Sequence, residues 1–556
     1  MKGIPLIITL CGALYLGPIA IAEGPAPFSP TVSVNAGKVR GARTQDGGAV
    51  FKGIPFAQPP IGDLRWHAPL PAKPWSGIRA ATAFGPPCVQ GGALGAHSSE
   101  DCLYLNVWTP KWPMKKPAAV MVWIYGGGNF AGAASDPTFD GESLARHGVI
   151  LVTTNYRVGV FGFFELPELD AESPHHVSGN YGLLDQIMAL RWVHDNIARF
   201  GGDPDNVTVF GESAGSLDIN VLMTSPLSKG LYRRVIGESG PVVAPPSLAE
   251  GERKSESLAT KLDITGGSVL KKLRALSSAE LERATGHGLA FIGPTLGVVV
   301  DGWVFPESPM KAFATGNEQQ AGLMLGTNSQ ELQKPFFPMS GSLRDAIENQ
   351  YGKLAERALT LYGLNGVAAP QPDPEFGSAL AQWATDTQFR CGSVAELVWH
   401  TKANNSGYQF QFSRAAPGRE ALGAPHGSEV PYVFGTLRVG LNTRKYDATD
   451  RRISAEMEDY WTNFAKTGNP NGGALPHWPK FDPSERAYLD FTDAGPIARK
   501  GLRRQACNLY IEQLQRRMVQ NPQEAQTLRR DSVPAAHMDK RASKPELQRT
   551  ALQKLN

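Results

Sequence analysis

Cysteine is scarce in this chain of 556 residues, which contains five. None lies in a C-x-x-C motif and there is no H-E-x-x-H pair, so the common zinc and dithiol signatures are missing. Charge of one sign is lacking as well, because 55 Lys and Arg stand against 52 Asp and Glu, for a formal net charge of +3. We therefore expect no metal, no cofactor and no nucleic-acid partner.

Long hydrophobic runs are also lacking, except at the N-terminus. There an apolar stretch from Ile4 to Ala22 follows a short basic start and ends in Ala-Ile-Ala, which is typical of an export signal cleaved between Ala22 and Glu23. A membrane anchor is the alternative, but glycines and a proline interrupt the stretch, and no later segment is apolar enough to cross a bilayer. The sequence predicts a signal peptide over residues 1–22 and an exported protein, periplasmic or secreted, without a stable membrane anchor.

Four cysteines remain after removal of that segment: Cys88, Cys102, Cys391 and Cys507. An even number of cysteines in an exported chain indicates two disulfide bonds, and sequence alone allows three pairings. The alternative for each cysteine is a buried free thiol, which export disfavours.

The composition is that of an ordered globular protein, with 42% hydrophobic and 19% charged residues. Between Ala119 and Ser216, Val- and Ile-rich runs bounded by glycine alternate with amphipathic stretches such as "LLDQIMALRWVHDNIARF". Continuous apolar runs are typical of strands buried on both faces, and a period of 3.6 residues is typical of a crossover helix. The sequence predicts an α/β fold with a central, mostly parallel sheet flanked by helices.

No sharp linker or internal repeat divides the chain, so we expect one domain over residues 23–515, with helical stretches between 250 and 400 forming a cap over the strand ends. From Arg516 onward the composition changes to nine Lys or Arg against four Asp or Glu, with no Phe, Tyr or Trp. Such a segment cannot bury enough apolar surface to fold. Residues 516–556 are therefore predicted to be a basic, disordered tail.

The stretch "VFGESAG", residues 209–215, places Ser213 between two glycines after a β-branched run. A sharp turn from a strand into a helix crowds the backbone, so Gly211 and Gly215 fit where a Cβ atom would clash, and the serine is exposed at the tip. This pattern is typical of a nucleophile elbow, with the strand ending at Phe210 and the helix beginning near Ala214. An ordinary Gly-Ser loop is the alternative, because the chain has 60 glycines.

A serine hydroxyl becomes a strong nucleophile when a histidine takes its proton and a carboxylate fixes that histidine. After an elbow serine, the acid comes next in the chain and the histidine last. His426 lies in the flexible loop "GAPHGSEVPYVFG", whereas His400 lies in a predicted amphipathic helix, His477 in a proline-rich surface stretch, and His287 before the preferred acid. His426 is therefore the candidate base; a hydrogen-bonded loop histidine without a catalytic role is the alternative.

The candidate acid is Glu331, which follows an apolar strand and a loop of small residues in "AGLMLGTNSQ". Asp301 also follows an apolar run, but Asp-Gly is a strong turn signal. Acyl transfer also needs hydrogen-bond donors for the oxyanion. In "WIYGGGNFAG" the glycines 126–128 follow a buried strand and let backbone N–H groups approach a ligand, and the N–H of Ala214 can join them.

Together these segments resemble the type-B carboxylesterases, the cholinesterase-like branch of the α/β-hydrolases. The resemblance covers Val32 to Leu514 and rests on the motifs "FKGIPFAQPPIGDLRW", "SEDCLYLNVWTP", "NYRVGVFGF", "GNYGLLDQ" and "FGGDPDNVTVFGESAGS". It implies an α/β-hydrolase fold with helical cap insertions, in an exported carboxylesterase of the bacterial type. By matching position it implies the nucleophile Ser213, the acid Glu331, the base His426, and oxyanion donors on Gly127, Gly128 and Ala214.

The resemblance implies further pairs and roles. It implies disulfide bonds between Cys88 and Cys102 and between Cys391 and Cys507, and a structural ion pair between Arg65 and Glu100. Glu212 matches an acidic residue beside the nucleophile, for which an electrostatic and a structural role are both open.

Two positions depart from the family pattern. Asn129 stands where an apolar residue usually follows the glycines, and Ser216-Leu217-Asp218 follows the elbow where small residues are commoner. These departures bear on substrate preference rather than on the reaction.

The expected activity is hydrolysis of a small-molecule carboxylic ester through an acyl-enzyme. The loop "VQGGALGAHSSED" lacks the tryptophan that attracts the quaternary ammonium of choline in cholinesterases. The stretch after the nucleophile helix, where the family places part of its acyl pocket, offers Val242, Val243 and Pro245 without a bulky aromatic residue. We therefore expect a preference for uncharged esters with short to medium acyl or aryl groups. The alternatives are a feruloyl-type esterase, a lipase and, more remotely, a non-catalytic cholinesterase-like adhesion module.

Overall fold

The computed structural model describes residues 29–264, 266–286, 297–336, 339, 341–366, 370–437 and 446–520. The predicted signal peptide and His287 lie outside these residues. The last described helix runs from Arg504 to Gln520, so the first five residues of the predicted tail are helical, and the rest of the tail lies outside the described residues.

Strands of the described chain form a three-stranded and an eleven-stranded sheet. In chain order they are β1 Thr31–Val34, β2 Gly37–Arg40, β3 Ala42–Arg43, β4 Ala49–Pro55, β5 Ile78–Ala80, β6 Tyr104–Thr109, β7 Ala118–Ile124, β8 Ile150–Thr154, β9 Gly202–Glu212, β10 Arg234–Glu238, β11 Gly322–Asn328, β12 Gly407–Phe412, β13 Ala487–Thr492 and β14 Gly495–Lys500.

The large sheet has the order β14-β13-β12-β11-β10-β9-β7-β8-β6-β4-β3. The pairs from β8 through β7, β9, β10, β11 and β12 to β13 are parallel, and antiparallel pairs lie at both ends of the sheet. The central strands are apolar on both faces, as in the sequence "AAVMVWI" of β7, because helices cover the sheet on either side. The predicted α/β-hydrolase fold with a mostly parallel sheet is thus confirmed.

The α-helices of the described chain lie mainly between the strands. They are α1 Gly92–Gly95, α2 Glu142–Arg146, α3 Gly159–Gly162, α4 Pro167–Glu172, α5 Tyr181–Asn196, α6 Ala214–Leu222, α7 Leu248–Lys261, α8 Val269–Ala275, α9 Ser278–Thr285, α10 Pro309–Thr315, α11 Leu343–Tyr351, α12 Ala355–Leu361, α13 Ala379–Thr385, α14 Cys391–Lys402, α15 Val430–Val433, α16 Ala448–Thr467 and α17 Arg504–Gln520. None of them is both long and apolar enough to span a membrane.

The helical insertions lie between β10 and β11 and between β11 and β12. The second insertion has an apolar cluster of its own, in which α11, α12 and α13 bury Ile347, Leu359 and Trp383 together with Leu509 of α17. A disulfide bond joins Cys391, at the start of α14, to Cys507 in α17, and a second joins Cys88 to Cys102. This is the pairing that the family resemblance implies.

Arg65 and Glu100 form a two-pronged ion pair near the shorter disulfide loop. Nε and Nη2 of Arg65 donate to the two Glu100 carboxylate oxygens at 2.7 and 2.6 Å. Nη1 donates to the carbonyl of Leu276 at 2.8 Å, which ties the pair to the end of α8. Because the arginine joins Glu100 to the backbone at the end of α8, the contacts agree with the structural role that the resemblance implies.

Candidate active site

Ser213 lies on the sharp turn between β9 and α6, with φ 56° and ψ −122°. Its backbone N–H donates to the carbonyl of Glu238 at 2.8 Å, so the neighbouring strand holds the turn. A Cβ atom on Gly211 or Gly215 would lie 2.6 or 2.0 Å from the carbonyl oxygen of Ile124, which is closer than any relaxed contact. Glycine is required on both sides because the turn packs directly against the end of β7.

His426 lies between Ser213 and Glu331. Its Nε2 is 2.8 Å from the Ser213 Oγ, and its Nδ1 is 2.7 Å from the Glu331 Oε2. The backbone N–H of His426 also donates to the carbonyl of Glu331 at 3.0 Å, which fixes the loop that carries the ring. With Nδ1–H donating to the carboxylate, Nε2 is left to accept the serine proton.

The other candidates from the sequence lie elsewhere. His400 is buried in α14, where its ring nitrogens are 3.1 Å from Glu318 Oε1 and 3.0 Å from the carbonyl of Ala321. His477 is exposed. Asp301 accepts from the backbone N–H groups of residues 303–305, which is the turn role given above as its alternative.

Glu331 is held by groups that the sequence argument missed. Its Oε1 accepts from Ser239 Oγ and from the backbone N–H of Asn328, both at 2.6 Å. Ser239 follows β10 as Ser213 follows β9, since Gly237-Glu238 pairs in register with Gly211-Glu212. The repeated "GES" at the end of two successive apolar strands is the signal that could have found it.

Glu212 contributes a second carboxylate to the histidine. Its Oε1 is 3.2 Å from the His426 Nε2. Burial raises the pKa of Glu212 to about 7, although the nearby histidine opposes that rise. Burial by itself lowers the pKa of His426, but Glu212, Glu331 and Glu429 outweigh it and raise the pKa to about 9.

Two further glutamates lie deeper in the same region. Glu429 accepts from Asn328 Nδ2 at 2.5 Å, and Glu238 accepts from Trp461 Nε1 at 2.8 Å. Burial, reinforced by neighbouring carboxylates, raises the pKa of Glu429 to about 8 and that of Glu238 well above its ordinary value. Burial thus favours the neutral form of both carboxyl groups.

The glycine loop lies against Ser213 and Glu212. A Cβ atom on Gly126 would be 2.6 Å from Glu212 Oε2 and 2.9 Å from the Ser213 Cβ. Gly127 and Gly128 have φ values of 99° and 65°, which glycine adopts readily. Within the described part of the chain, no acceptor is bound to the N–H of either glycine, and Ala214 is the first residue of α6, whose N–H has no partner within its own helix.

Two phenylalanine side chains flank the His426 ring. The centroid of the Phe389 ring is 4.7 Å away, and that of Phe336 is 5.6 Å away in an edge-to-face arrangement. Phe336 is 49% exposed and is therefore a large apolar side chain that faces solvent beside the His426 ring. Neither was found from the sequence, because nothing local connects them to the histidine.

In the residues that the structure describes, no group of three or more His, Cys, Asp or Glu side chains is arranged to hold a metal ion. The arrangement instead provides a hydroxyl, an imidazole held by a carboxylate, and free backbone donors. Such a set can carry out acyl transfer without an added group.

Comparison with known proteins gives consistent matches along most of the chain. A family model described as the carboxylesterase family matches residues 28–510. The chain is 37% identical over 494 residues to the para-nitrobenzyl esterase of Bacillus subtilis (strain 168), covering 82% of this chain and 94% of that enzyme. It is 37% identical over 457 residues to the fumonisin B1 esterase of Sphingopyxis macrogoltabida, covering 78% of this chain and 81% of that enzyme.

A solved structure agrees with these matches. A carboxylesterase of Geobacillus stearothermophilus superposes with a TM-score of 0.75 at 32% identity, covering 86% of this chain and 99% of that one.

Proposed function

The chain belongs to the carboxylesterase family and is a carboxylic ester hydrolase, and from this premise we propose that it acts through an acyl-enzyme on Ser213, on uncharged esters with short to medium acyl or aryl groups. The observation that carries the mechanism is the contact chain from Glu331 through His426 to Ser213, at 2.7 and 2.8 Å.

In the first half of the proposed reaction, Ser213 Oγ attacks the ester carbonyl while His426 Nε2 takes the hydroxyl proton. Glu331 stabilises the imidazolium that forms, and Ser239 keeps the carboxylate in place. The N–H groups of Gly127, Gly128 and Ala214 donate to the oxyanion of the tetrahedral intermediate. Collapse of that intermediate breaks the C–O bond, and His426 gives its proton to the leaving alcohol.

In the second half, water replaces the alcohol. His426 takes a proton from the water, the resulting hydroxide attacks the acyl carbonyl, and the same donors stabilise the second oxyanion. The acid product leaves when His426 returns the proton to Ser213 Oγ, so the enzyme is restored without any other reactant.

The proposed substrate preference rests on what surrounds the histidine. Phe336 presents an exposed aromatic edge beside the ring that protonates the leaving alcohol, which favours an apolar or aryl alcohol group. Residues 89–101, between the disulfide-bonded Cys88 and Cys102, contain no Phe, Tyr or Trp side chain to attract a cationic alcohol. The name of the Bacillus relative, para-nitrobenzyl esterase, fits the same preference.

We also propose that the protein is exported after cleavage of residues 1–22, as a single esterase domain over residues 23–515 followed by a basic tail, without a nucleic-acid partner or a stable membrane anchor. Two disulfide bonds are consistent with an extracellular location.

The test compares the unaltered enzyme with Ser213→Ala on a panel of esters: ethyl, benzyl and 4-nitrophenyl esters of acetate and butyrate, a long-chain triacylglycerol, methyl ferulate and fumonisin B1. We expect the short aryl and benzyl esters to give the highest kcat/KM, and Ser213→Ala to lower it by several orders of magnitude. A folded Ser213→Ala protein with near-normal turnover would contradict the mechanism. A preference of more than about tenfold for the ferulate, the triacylglycerol or fumonisin B1, roughly 1.4 kcal/mol, would contradict the substrate class.

A further inference from the structure

Asn129 and Asp218, which both belong to the places where the chain departs from the family pattern, contact each other. Asn129 follows Gly128 in the glycine loop, and Asp218 lies in α6, the helix that begins at Ala214. Both side chains are fully buried. Nδ2 of Asn129 donates to Oδ1 of Asp218 at 2.8 Å, across 89 positions of the chain.

Other groups hold this contact from both sides. Gln186, in α5, donates from Nε2 to the second Asp218 oxygen at 2.5 Å. The Tyr156 hydroxyl is 3.0 Å from Asn129 Oδ1 and 2.8 Å from the carbonyl oxygen of Tyr125. The carbonyl of Asn129 accepts from the N–H of Gly159 at 2.6 Å. Asn129 is thus held through its amide nitrogen and its backbone, with the Tyr156 hydroxyl beside its amide oxygen.

We propose that Asn129 and Asp218 form a positioning clamp that fixes the glycine loop relative to the nucleophile helix, and thereby sets the direction of the oxyanion donors. This inference rests on the function proposed above. The contact joins the two elements that supply those donors: Gly127 and Gly128 from the loop, and Ala214 from α6. A loop of glycines has little stiffness of its own, and stabilisation of an oxyanion depends steeply on where the donors point.

A preference of asparagine for left-handed backbone does not explain the pair. Asn129 has φ 59°, a conformation that asparagine tolerates better than most residues. That preference gives no reason for Asp218, a carboxyl group whose burial is costly and raises its pKa to about 7. The clamp explains why Asp218 is buried despite this cost, because its two carboxylate oxygens accept from Asn129 and Gln186.

The test measures hydrolysis of 4-nitrophenyl acetate and inhibition by an alkyl trifluoromethyl ketone, which adds to the serine and forms an oxyanion. Asn129→Gly keeps the backbone conformation and removes the amide; Asp218→Ala removes the acceptor. We expect each variant to lower kcat about tenfold and to weaken inhibitor binding about tenfold. Misplaced donors should lower the rate by less than the complete removal of one donor does, and KM should change by less than about twofold. The double variant is expected to be no worse than either single one, because both break the same contact.

The matched control is Asp218→Asn. It keeps an oxygen for Asn129, and Gln186 Oε1, which has no hydrogen-bond partner in the described part of the chain, can accept from the new amide after a flip of the Gln186 side chain. We expect its kcat and inhibitor affinity to stay within about threefold of the unaltered enzyme.

Unchanged kcat and inhibitor affinity in Asn129→Gly, additive losses in the double variant, or a change in KM alone would each overturn the clamp. If the Asp218→Ala protein does not fold, Asn129→Gly tests the clamp by itself: a loss of about tenfold in kcat and inhibitor affinity supports the clamp, and no loss overturns it. Ser213→Ala separates the two proposals. Activity that survives Ser213→Ala removes the proposed mechanism, whereas a dead Ser213→Ala with unaffected clamp variants removes only the clamp.

Discussion

Glu212 is expected to set the pH range in which the enzyme works. A base must be neutral to accept the serine proton, so kcat/KM falls on the acid side as His426 becomes protonated. A carboxylate 3.2 Å from the His426 Nε2 favours the protonated ring and contributes to a pKa of about 9. Glu212→Gln removes this charge while keeping the shape of the side chain, so the pKa of His426 falls and the acid limb moves to lower pH.

The size of the shift follows from Coulomb's law. Two unit charges 3.2 Å apart interact by about 1 to 5 kcal/mol for effective dielectric constants between 80 and 20, or about 1 to 4 pH units. The acid limb lies around the His426 pKa of about 9, well above the pKa of about 7 to which burial raises Glu212, so the Glu212 carboxyl is charged where the limb falls. The shift is therefore expected to lie within that range, at about one pH unit or more.

The assay is kcat/KM for 4-nitrophenyl acetate between about pH 6 and pH 11, which reaches above the His426 pKa, with each profile corrected for spontaneous hydrolysis and scaled to its own plateau. Glu356→Gln is the matched control. It removes the same single negative charge, but from an exposed glutamate in α12. An acid limb that stays in place in Glu212→Gln, moves to higher pH, or moves equally in both variants would refute the electrostatic reasoning.

Three other features of the structure have measurable consequences. Ser239→Ala should lower kcat/KM about tenfold and Glu331→Gln considerably more, because Asn328 still holds the carboxylate when the serine is gone; equal losses would contradict this order. Replacing Cys391 and Cys507 together by serine frees a loop of 116 residues and should lower the free energy of unfolding by up to about 4 to 5 kcal/mol in urea titrations, and an unchanged midpoint would count against the bond. Acetylcholine and its uncharged carbon isostere should be hydrolysed within about tenfold of each other, whereas a larger preference for the choline ester would require a cation site that residues 89–101 do not supply.

The sequence indicates the fold well where the pattern is local. Buried runs such as "AAVMVWI" and "ILVTT" have the continuous apolar character of central parallel strands, and they form β7 and β8. The elbow follows from steric crowding at Gly211 and Gly215. Ser213, Glu331 and His426 could be chosen because histidines are few and chain order restricts the partners, and the structure brings these three side chains into contact.

Other contacts between distant segments leave little or no sign in the sequence. Asn129 meets Asp218 across 89 positions with no shared motif, and Ser239 meets Glu331 across 92, where the repeated "GES" marks the serine but not its partner. Phe336 and Phe389 reach the His426 ring from separate segments. Such partners are fixed by how the elements pack, and this information appears only once the chain is folded.

Rapid quenching followed by mass spectrometry shows most directly whether Ser213 carries the acyl group. The enzyme is mixed with an excess of a 4-nitrophenyl ester whose acyl group is removed slowly, quenched in acid, digested and mapped. We predict a burst of about one nitrophenol per active site and one acyl group on the peptide that contains Ser213, with neither burst nor adduct in Ser213→Ala. An acyl group on a different residue, or steady turnover by Ser213→Ala, would contradict this prediction.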